Sequence, residues 1–512
     1  MRHINFEPIN LIMDREQSMN IHFTLSSSVY IRWLFFIAIL LSALDFDAWA
    51  SPPNLLPSTQ EAVINTDTDV PSVPDHSAIP QQDKEITPNQ AALEPAAPVV
   101  RDSSPGIDNG YKEKQIGISG NPGAVNILTG TGKLGELMGL TPDSGARLGG
   151  LWIVNADLLM SGKDSGSSTF NNLGIIDLQL DMQTLMRIPG GRLGASFLQF
   201  NGQDSNGKAG VMTGYDGLTE APPLDRSELY QLWWRQALLD ERLIVRIGKS
   251  VPTFDFNNVS SRLNIPNEEP YVANVSGLLF TPIFVNPSIL GVMPGYYNSA
   301  WGMTVTAAPT TSSYASYGLY DGSGATGIQT GIQTFPAFNS YYFNIGEIGT
   351  SWAGDYPGKI SLGGWAQSGT LTTVNAQGQS LQENGARGIY ATASNRLATI
   401  HMENGTGAII GYLQYGINDS RTMMVNEYVG GGLTGFGLIP MRPKDSLGLG
   451  IGSSWLTNPS PAGKNETLMQ MYYQAHIFGD VFLQPTFTYI PNPSGGAYPS
   501  ATSLIFQLVT LF

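Results

Sequence analysis

The chain of 512 residues contains no cysteine and few charged residues. Without cysteine, disulfide bonds, thiolate nucleophiles and cysteine-ligated metals are excluded together. Charged residues make up 13% of the chain, about half of the roughly 25% that is typical of soluble proteins. Lysine and arginine are scarce and the net charge is −15, so the composition argues against a nucleic-acid partner.

The chain also lacks a hydrophobic run long enough for a helical membrane span. The one pronounced apolar stretch is residues 33–44, about a dozen residues against the roughly 20 that a span needs. Arg32 precedes it and Ala48-Trp49-Ala50 follows it, which is typical of a secretory signal cleaved after Ala50. We therefore expect residues 1–50 to be a signal peptide with an extended N-terminal region. Met19 is an alternative start, and an uncleaved anchor is the alternative interpretation.

Residues 51–124 are poor in aromatic residues and rich in Pro, Ala and acidic or amide side chains, most clearly up to about residue 110. Such a segment has too little apolar surface to offset the entropy of folding, so we expect it to be mostly disordered in the periplasm. The simplest interpretation is a solvated spacer, and contact with peptidoglycan or a periplasmic partner is the alternative.

From residue 125 onward the sequence alternates with a period of two, which predicts β-strands. In residues 175–183 the apolar side chains Ile176, Leu178, Leu180 and Met182 alternate with Asp177, Gln179, Asp181 and Gln183. A soluble β-sandwich also alternates, but its polar face collects Lys, Arg and Glu. Here the polar face carries Gln, Thr, Ser, Gly and isolated acids, as expected of a water-filled lumen.

The last residues, Leu504 to Phe512, form an apolar strand-like run that ends in an aromatic residue. Terminal residues of soluble domains usually fray, so an ordered last strand indicates a barrel that closes on itself. Anything that crosses a membrane after Ala50 must do so as strands. We therefore expect residues 125–512 to form an all-β, transmembrane antiparallel barrel.

Features of enzymes are weak in this chain. Of its five histidines, only His401 and His476 lie in the expected barrel, and neither has the spacing of a metal site or a nucleophile elbow. Gly448-x-Gly450-x-Gly452 lacks the strand-to-helix context of a nucleotide-binding loop. It predicts instead a strand whose inward-facing residues are small, which would widen a channel. No pattern indicates a metal or another cofactor.

The densest group of functional side chains runs from Asp225 to Phe256. If Tyr230, Leu232 and Trp234 face lipid, then Gln231, Trp233 and Arg235 face inward; if Leu243, Val245 and Ile247 face lipid, Arg246 joins them. Aromatic rings can stack on a pyranose, and Arg and acidic side chains can bond its hydroxyls. The alternative is that the arginines and acids brace the wall as salt bridges.

This stretch resembles the carbohydrate-selective porins typified by OprB, in Gram-negative outer membranes. The resemblance rests on Leu229-Tyr230-x-x-Trp233-x-x-Gln236, on Leu243-x-x-Arg246-x-Gly248-Lys249 and on Asp255-Phe256. Further similarities extend it over residues 125–512: Pro189-Gly190-Gly191, Tyr317-Gly318-Leu319-Tyr320-Asp321, Arg442-Pro443-x-Asp445 and Pro491-Asn492-Pro493.

The resemblance implies about 16 strands, short periplasmic turns and long extracellular loops, some of which fold inward to narrow the channel. It implies passive diffusion of mono- or small oligosaccharides, with sugars and outer-membrane lipid as partners. Matching positions give Arg235, Arg246, Lys249, Glu228 and Trp233 as pore-lining residues. Alternation alone adds Asp177 and Asp181. The alternatives are a general or acid-selective diffusion porin, against which the scarcity of clustered cations weighs, a barrel enzyme, and a secreted β-rich adhesin or cell-wall protein.

Overall fold

The computed structural model describes residues 132–218, 225–257, 286–293 and 298–512, apart from residues 311, 353, 355, 376–377, 403–404, 444 and 461–462. The expected signal peptide and the acidic segment 51–124 lie outside these ranges. Among the described residues, no helix has the length and apolar character needed to cross a membrane.

The described part of the chain consists mainly of sixteen strands. They are β1 (Ala146–Ser161), β2 (Ser168–Asp181), β3 (Gly191–Asn201), β4 (Asp225–Leu238), β5 (Leu243–Ser250), β6 (Ala300–Ala307), β7 (Ser313–Asp321), β8 (Tyr342–Trp352), β9 (Gly358–Val374), β10 (Ser380–Met402), β11 (Gly405–Asn418), β12 (Val425–Phe436), β13 (Ser446–Ser460), β14 (Gly463–Phe478), β15 (Val481–Ile490) and β16 (Ala501–Leu511).

Short helices lie at the ends of some strands. The α-helices are α1 (Lys133–Leu137), α2 (Met182–Met186), α3 (Ser205–Ala209) and α4 (Pro252–Asp255). The 3₁₀ turns are Pro142–Ser144, Pro287–Ile289, Ser323–Thr326, Thr330–Ile332 and Pro493–Gly495.

The strands close into a single antiparallel barrel in which each strand pairs with its neighbours in sequence. The seam joins β1 to β16, with Leu151 opposite Leu511 and Leu158 opposite Leu504. Phe512 completes it, because its N–H donates to the Gly150 carbonyl at 3.0 Å and its carbonyl accepts from the Gly150 N–H at 2.7 Å. A closed barrel has no unpaired edge, which is the condition for strands to cross a membrane. The predicted sixteen-stranded barrel is confirmed.

The period-two pattern sorts side chains between lipid and interior as predicted. Ile176 is 46% exposed on the outside of β2, whereas Asp177 is buried on the inside. The same holds on β1, where Trp152 faces outward and Asn155 faces inward. The alternation ends two residues earlier than expected, because Met182 and Gln183 belong to helix α2 and not to the strand.

The prediction that Tyr230 faces lipid is wrong. Ser196 pairs with Gln231 while the next residue, Phe197, pairs with Leu229, so Tyr230 is the extra residue of a β-bulge. Its side chain is fully buried inside. The bulge also changes which positions face inward, so that even-numbered Glu228 and odd-numbered Trp233 lie on the same side of β4.

Three connections fold into the barrel and are held there by buried carboxylates. The β3–β4 connection (202–218) is bound by Asp216, which accepts from Asn155 and Ser205, and by Glu466 of β14, which accepts from the Thr213 N–H at 2.9 Å. The β5–β6 connection is bound at Asn257, whose N–H donates to Glu347 of β8 at 2.9 Å. In the β7–β8 connection, Asp321 accepts from Ser323 and from the N–H groups of Ala337 and Phe338.

Inside the barrel, large aromatic rings lie over glycines of the neighbouring strand. A Cβ on Gly194 would come 2.2 Å from the Trp233 ring, and a Cβ on Gly448 would come 2.2 Å from the Tyr472 ring. Glycine is required at both positions because any side chain would overlap the ring. The small face expected to widen the channel at Gly448 is thus filled by Tyr472.

Candidate functional site

The inward faces of β3, β4 and β5 place three arginines side by side. Arg192 pairs with Arg235, and Arg235 pairs with Arg246. One step along the same strands, Gly194 pairs with Trp233, so the indole lies next to this row of guanidinium groups. Two of these five residues, Arg192 and Gly194, were not selected from the sequence.

Trp233, Arg246 and Asp255 form the centre of the site. The Arg246 Cζ atom lies 5.9 Å from the centroid of the Trp233 ring, within the range of a cation–π contact. Arg246 Nη2 donates to Asp255 Oδ2 in an ion pair. Asp255 comes from α4, which begins directly after β5 because Pro252 occupies the first helical turn. A ring, a guanidinium and a carboxylate are thereby brought together.

Glu228 and Lys249 lie farther along the same wall, next to an inner connection. Arg226 Nε is 3.9 Å from Glu228 Oε1, and Arg226 Nη1 donates to Gln329 at 3.2 Å. Lys249 is only 1% exposed and donates to the carbonyl oxygens of Leu229, at 2.7 Å, and Gly331. Lys249 therefore ties the β7–β8 connection to the wall, and its ammonium is covered by protein.

The two aspartates selected by alternation have different surroundings. Asp177 is buried on the inside of β2 and accepts from Gln179 Nε2 at 3.2 Å. Asp181 ends β2 and caps α2, accepting from the Gln183 N–H at 3.0 Å and from Thr184 Oγ1 at 2.8 Å. Of the residues selected from the sequence, the structure brings Trp233, Arg235 and Arg246 together. Asp181 lies instead at the end of the barrel that carries Phe512.

Sequence reasoning missed Arg192 and the carboxylates that hold the connections inside. Arg192 directly follows Pro189-Gly190-Gly191, so a signal was present, but its position beside Arg235 depends on strand register. Asp216, Glu347 and Glu466 looked like ordinary isolated acids. Each contacts segments distant in sequence, as when Glu466 binds the N–H of Met212.

Two carboxylates outside the strands show how burial and hydrogen bonding shift the pKa of an acidic side chain. Burial raises the pKa of Asp216, although hydrogen bonds from Ser205, the Leu218 N–H, Asn155 and Asn171 oppose the shift. Burial also acts to raise the pKa of Asp445, but hydrogen bonds from Arg442, Tyr473 and the His476 N–H outweigh it and lower that pKa. The Arg442-Pro443-x-Asp445 motif thus builds a charged turn between β12 and β13.

One of the two histidines in the barrel, His476, is held by local contacts. His476 packs its ring 5.2 Å from that of Phe482 and its Nε2 lies 2.7 Å from the Gly479 carbonyl oxygen. Within the described ranges, no group of three or more histidines and acids could hold a metal ion.

A match to a family model identifies the family and the function of this chain. The model described as carbohydrate-selective porin, OprB family, matches residues 168–507, which include all of β2 to β15. The chain belongs to this family. It is a sugar-selective porin.

One solved porin structure agrees with the architecture of this porin, and a second is reported beside it. The high-pH structure of Pseudomonas putida OprB has 15% identity and a TM-score of 0.62, covering 76% of this chain and 99% of that one. The outer membrane channel DcaP of Acinetobacter baumannii has 9% identity and a TM-score of 0.42, covering 72% and 98%. At 15% identity, the likeness to OprB shows the fold alone. A comparison with curated protein sequences gives no significant match.

Proposed function

We propose that this porin lets mono- and small oligosaccharides diffuse passively into the periplasm and recognises them at Trp233, Arg235, Arg246 and Asp255. The proposal is carried by the contact of the Arg246 guanidinium with both the Trp233 ring and the Asp255 carboxylate. A pyranose offers an apolar C–H face and a rim of hydroxyls, so it needs a ring beside paired donors and acceptors.

The surroundings of the site support selectivity with weak binding. Because Gly194 has no side chain, the Trp233 ring can lie close to the wall, and Trp233 is buried with 8% of its surface exposed. Arg246 and Asp255 hold each other in place, which reduces the entropy lost when a sugar binds. A solute held too tightly would block the channel, so one stacking platform with a few hydrogen bonds suits transport.

The pore-lining roles of the other residues are part of this proposal. Glu228 and Lys249 position the inner connection, while Asp177 offers a buried acceptor on β2. Asp181 acts at the rim through its cap on α2. We further propose that residues 1–50 are cleaved on export and that residues 51–124 form a periplasmic spacer able to contact peptidoglycan.

The test is conductance of the purified porin in planar bilayers with a panel of neutral sugars. We expect glucose or a related sugar to reduce the current in a concentration-dependent way. Trp233→Ala should weaken this block. Trp152→Ala, which removes an indole from the lipid face, is the matched control and should leave the block unchanged. Current that no sugar affects would refute the proposed selectivity.

A further inference from the structure

The seam between β1 and β16 differs from every other strand pairing in this barrel. Each of the other pairings joins strands that follow each other in the chain, so a connection links the two partners directly. At the seam the partners are the first and last strands, with Leu158 opposite Leu504. Because separating these two strands stretches no turn, the seam is where a closed barrel opens most readily. A contact that crosses the seam therefore has a value that the same contact elsewhere lacks.

The β3–β4 connection lies against the strands on one side of the seam. Asp216 Oδ1 accepts from Asn155 Nδ2 of β1 at 2.9 Å, and Asp216 Oδ2 accepts from Asn171 Nδ2 of β2 at 3.2 Å. The adjacent Tyr215 donates its hydroxyl to Asp157 Oδ2 of β1 at 2.5 Å. All five side chains are buried, so the connection is bound to β1 and β2 by hydrogen bonds that water does not weaken.

The same connection also lies against the wall on the other side of the seam. Glu466 of β14 accepts from the Thr213 N–H at 2.9 Å and from the Ser494 N–H at 2.6 Å. Ser494 belongs to the connection between β15 and β16, and its hydroxyl donates to the Gly210 carbonyl oxygen at 2.7 Å. Strand β14 and both connections are thereby joined at one carboxylate.

Two side chains of β1 link this connection to β16 itself. Asp157 accepts from both Tyr215 and Ser503 of β16. Asn155, which donates to the connection, also accepts from Gln507 Nε2 of β16 at 3.0 Å. The connection shares one buried apolar cluster with β1, β15 and β16, which includes Ala209, Leu159, Ile490 and Ile505. The connection and the two seam strands thus form one network inside the barrel.

The described contacts of the other two inner connections lie elsewhere on the wall. In the β5–β6 connection, Asn257 contacts Glu347 of β8 and Gln414 of β11. In the β7–β8 connection, the Gly322 carbonyl oxygen accepts from Gln367 of β9 at 3.1 Å. Among the contacts described for the inner connections, crossing the seam is therefore specific to the β3–β4 connection and is not a general result of folding inward.

We propose that the β3–β4 connection is a clasp that holds the barrel closed, by joining β1 and β2 on one side of the seam to β14 and β16 on the other. Opening the seam breaks the clasp contacts together with the backbone ladder, so the clasp raises the barrier to opening. Hydrogen bonds to buried carboxylates suit this role because they are stronger than those between neutral groups. The role does not depend on which solute passes through the channel, so it is tested apart from the proposed function.

The test begins with two matched tyrosine substitutions. Tyr215→Phe deletes the hydroxyl that binds Asp157 at the seam, and Tyr390→Phe deletes an equally buried hydroxyl that binds Glu347 at 2.8 Å on β8. Each removes one hydrogen bond to a carboxylate, so each should speed unfolding of the full mature chain by about tenfold. The rate is measured in detergent and urea by heat-modifiable migration on gels.

A disulfide across the seam then separates the clasp from ordinary packing. The chain has no cysteine, so Leu158→Cys with Leu504→Cys introduces a single pair, on directly opposed residues within bridging distance. With this disulfide closed the seam cannot open, and Tyr215→Phe should speed unfolding by less than twofold. Tyr390→Phe should keep its tenfold effect. Reducing the disulfide should restore the effect of Tyr215→Phe.

A second disulfide away from the seam is the control. Ala315→Cys with Ile348→Cys joins opposed residues of β7 and β8, and it should leave the effect of Tyr215→Phe at about tenfold. If Tyr215→Phe speeds unfolding equally with the seam disulfide open and closed, the clasp is overturned. Should that variant not assemble, Ser494→Ala removes one hydrogen bond of the clasp and should show the same dependence on the seam disulfide, with an effect of about threefold.

Discussion

Two walls of the barrel use the same packing device for different purposes. In the wall formed by β3, β4 and β5, which we call the arginine wall, the Trp233 ring covers Gly194 and lies beside Arg246. In the wall formed by β12, β13 and β14, which we call the glycine wall, the Tyr472 ring covers Gly448. The first pairing presents a ring to charged groups, and the second supports a buried connection. An aromatic residue over glycine thus indicates close packing, and its neighbours decide its role.

The glycine wall depends on one carboxylate. Glu466 accepts from the N–H groups of Met212, Thr213 and Ser494. Glu466→Ala should leave these donors without partners and lower the free energy of unfolding by about 3 kcal/mol. It should also release the 202–218 connection and raise single-channel conductance. Urea unfolding followed by heat-modifiable migration measures the first effect, and a wild-type midpoint would contradict it.

The same glycine-to-alanine substitution in both walls distinguishes a role in packing from a role in sugar recognition. Gly194→Ala and Gly448→Ala each force a ring to move, and each should cost about 2 kcal/mol of stability. Only Gly194→Ala should weaken sugar block, because only Trp233 lies in the proposed site. Equal loss of sugar block in both variants would show that the two walls do not differ in function.

Within the arginine wall, Arg246→Ala should weaken sugar block by about tenfold. The sugar loses hydrogen bonds from the charged guanidinium, and the Trp233 ring loses the cation beside it. Assembly should be retained at lower stability, because the buried Asp255 carboxylate loses this ion pair. Sugar titrations in bilayers measure the block. If Arg246→Ala fails to assemble while Asp255→Asn assembles, bracing is the main role of the arginine.

The smallest expected effect concerns pH at the inner connection. Asp216 has a raised pKa, so the folded state binds its proton more tightly than the unfolded state does. Its contribution to stability is therefore present at low pH and falls as pH rises from about 4 toward the folded pKa. Asp216→Asn should flatten this part of the stability profile, with Asp157 and Tyr215 as neighbouring groups. Unfolding midpoints measured across this pH range provide the check.

The sequence predicted the barrel well because alternation is a local property of each strand. Ile176 and Asp177 could be assigned to opposite faces without knowing their partners. Tyr230 could not, because a bulge exists only relative to the paired strand β3. Arg192 was missed for the same reason, since it lies beside Arg235 only through strand register.

The carboxylates that bind the inner connections could not be identified from the sequence for a different reason. Glu466 and Glu347 bind backbone N–H groups that any residue could supply, so nothing in the sequence marks their partners. Lys249 resembled a pore-lining cation, but it binds the carbonyl of Gly331 in a connection whose path is set by tertiary packing.

The pairing of β1 with β16 also constrains how the molecule is made. Gln507 donates to Asn155 across a separation of 352 residues, the largest span of any side-chain contact described at the seam. Ordering such a distant pair costs chain entropy before any contact repays it. The cylinder therefore closes late in assembly, and until then the lipid-facing side chains of every strand need protection from water and from other chains.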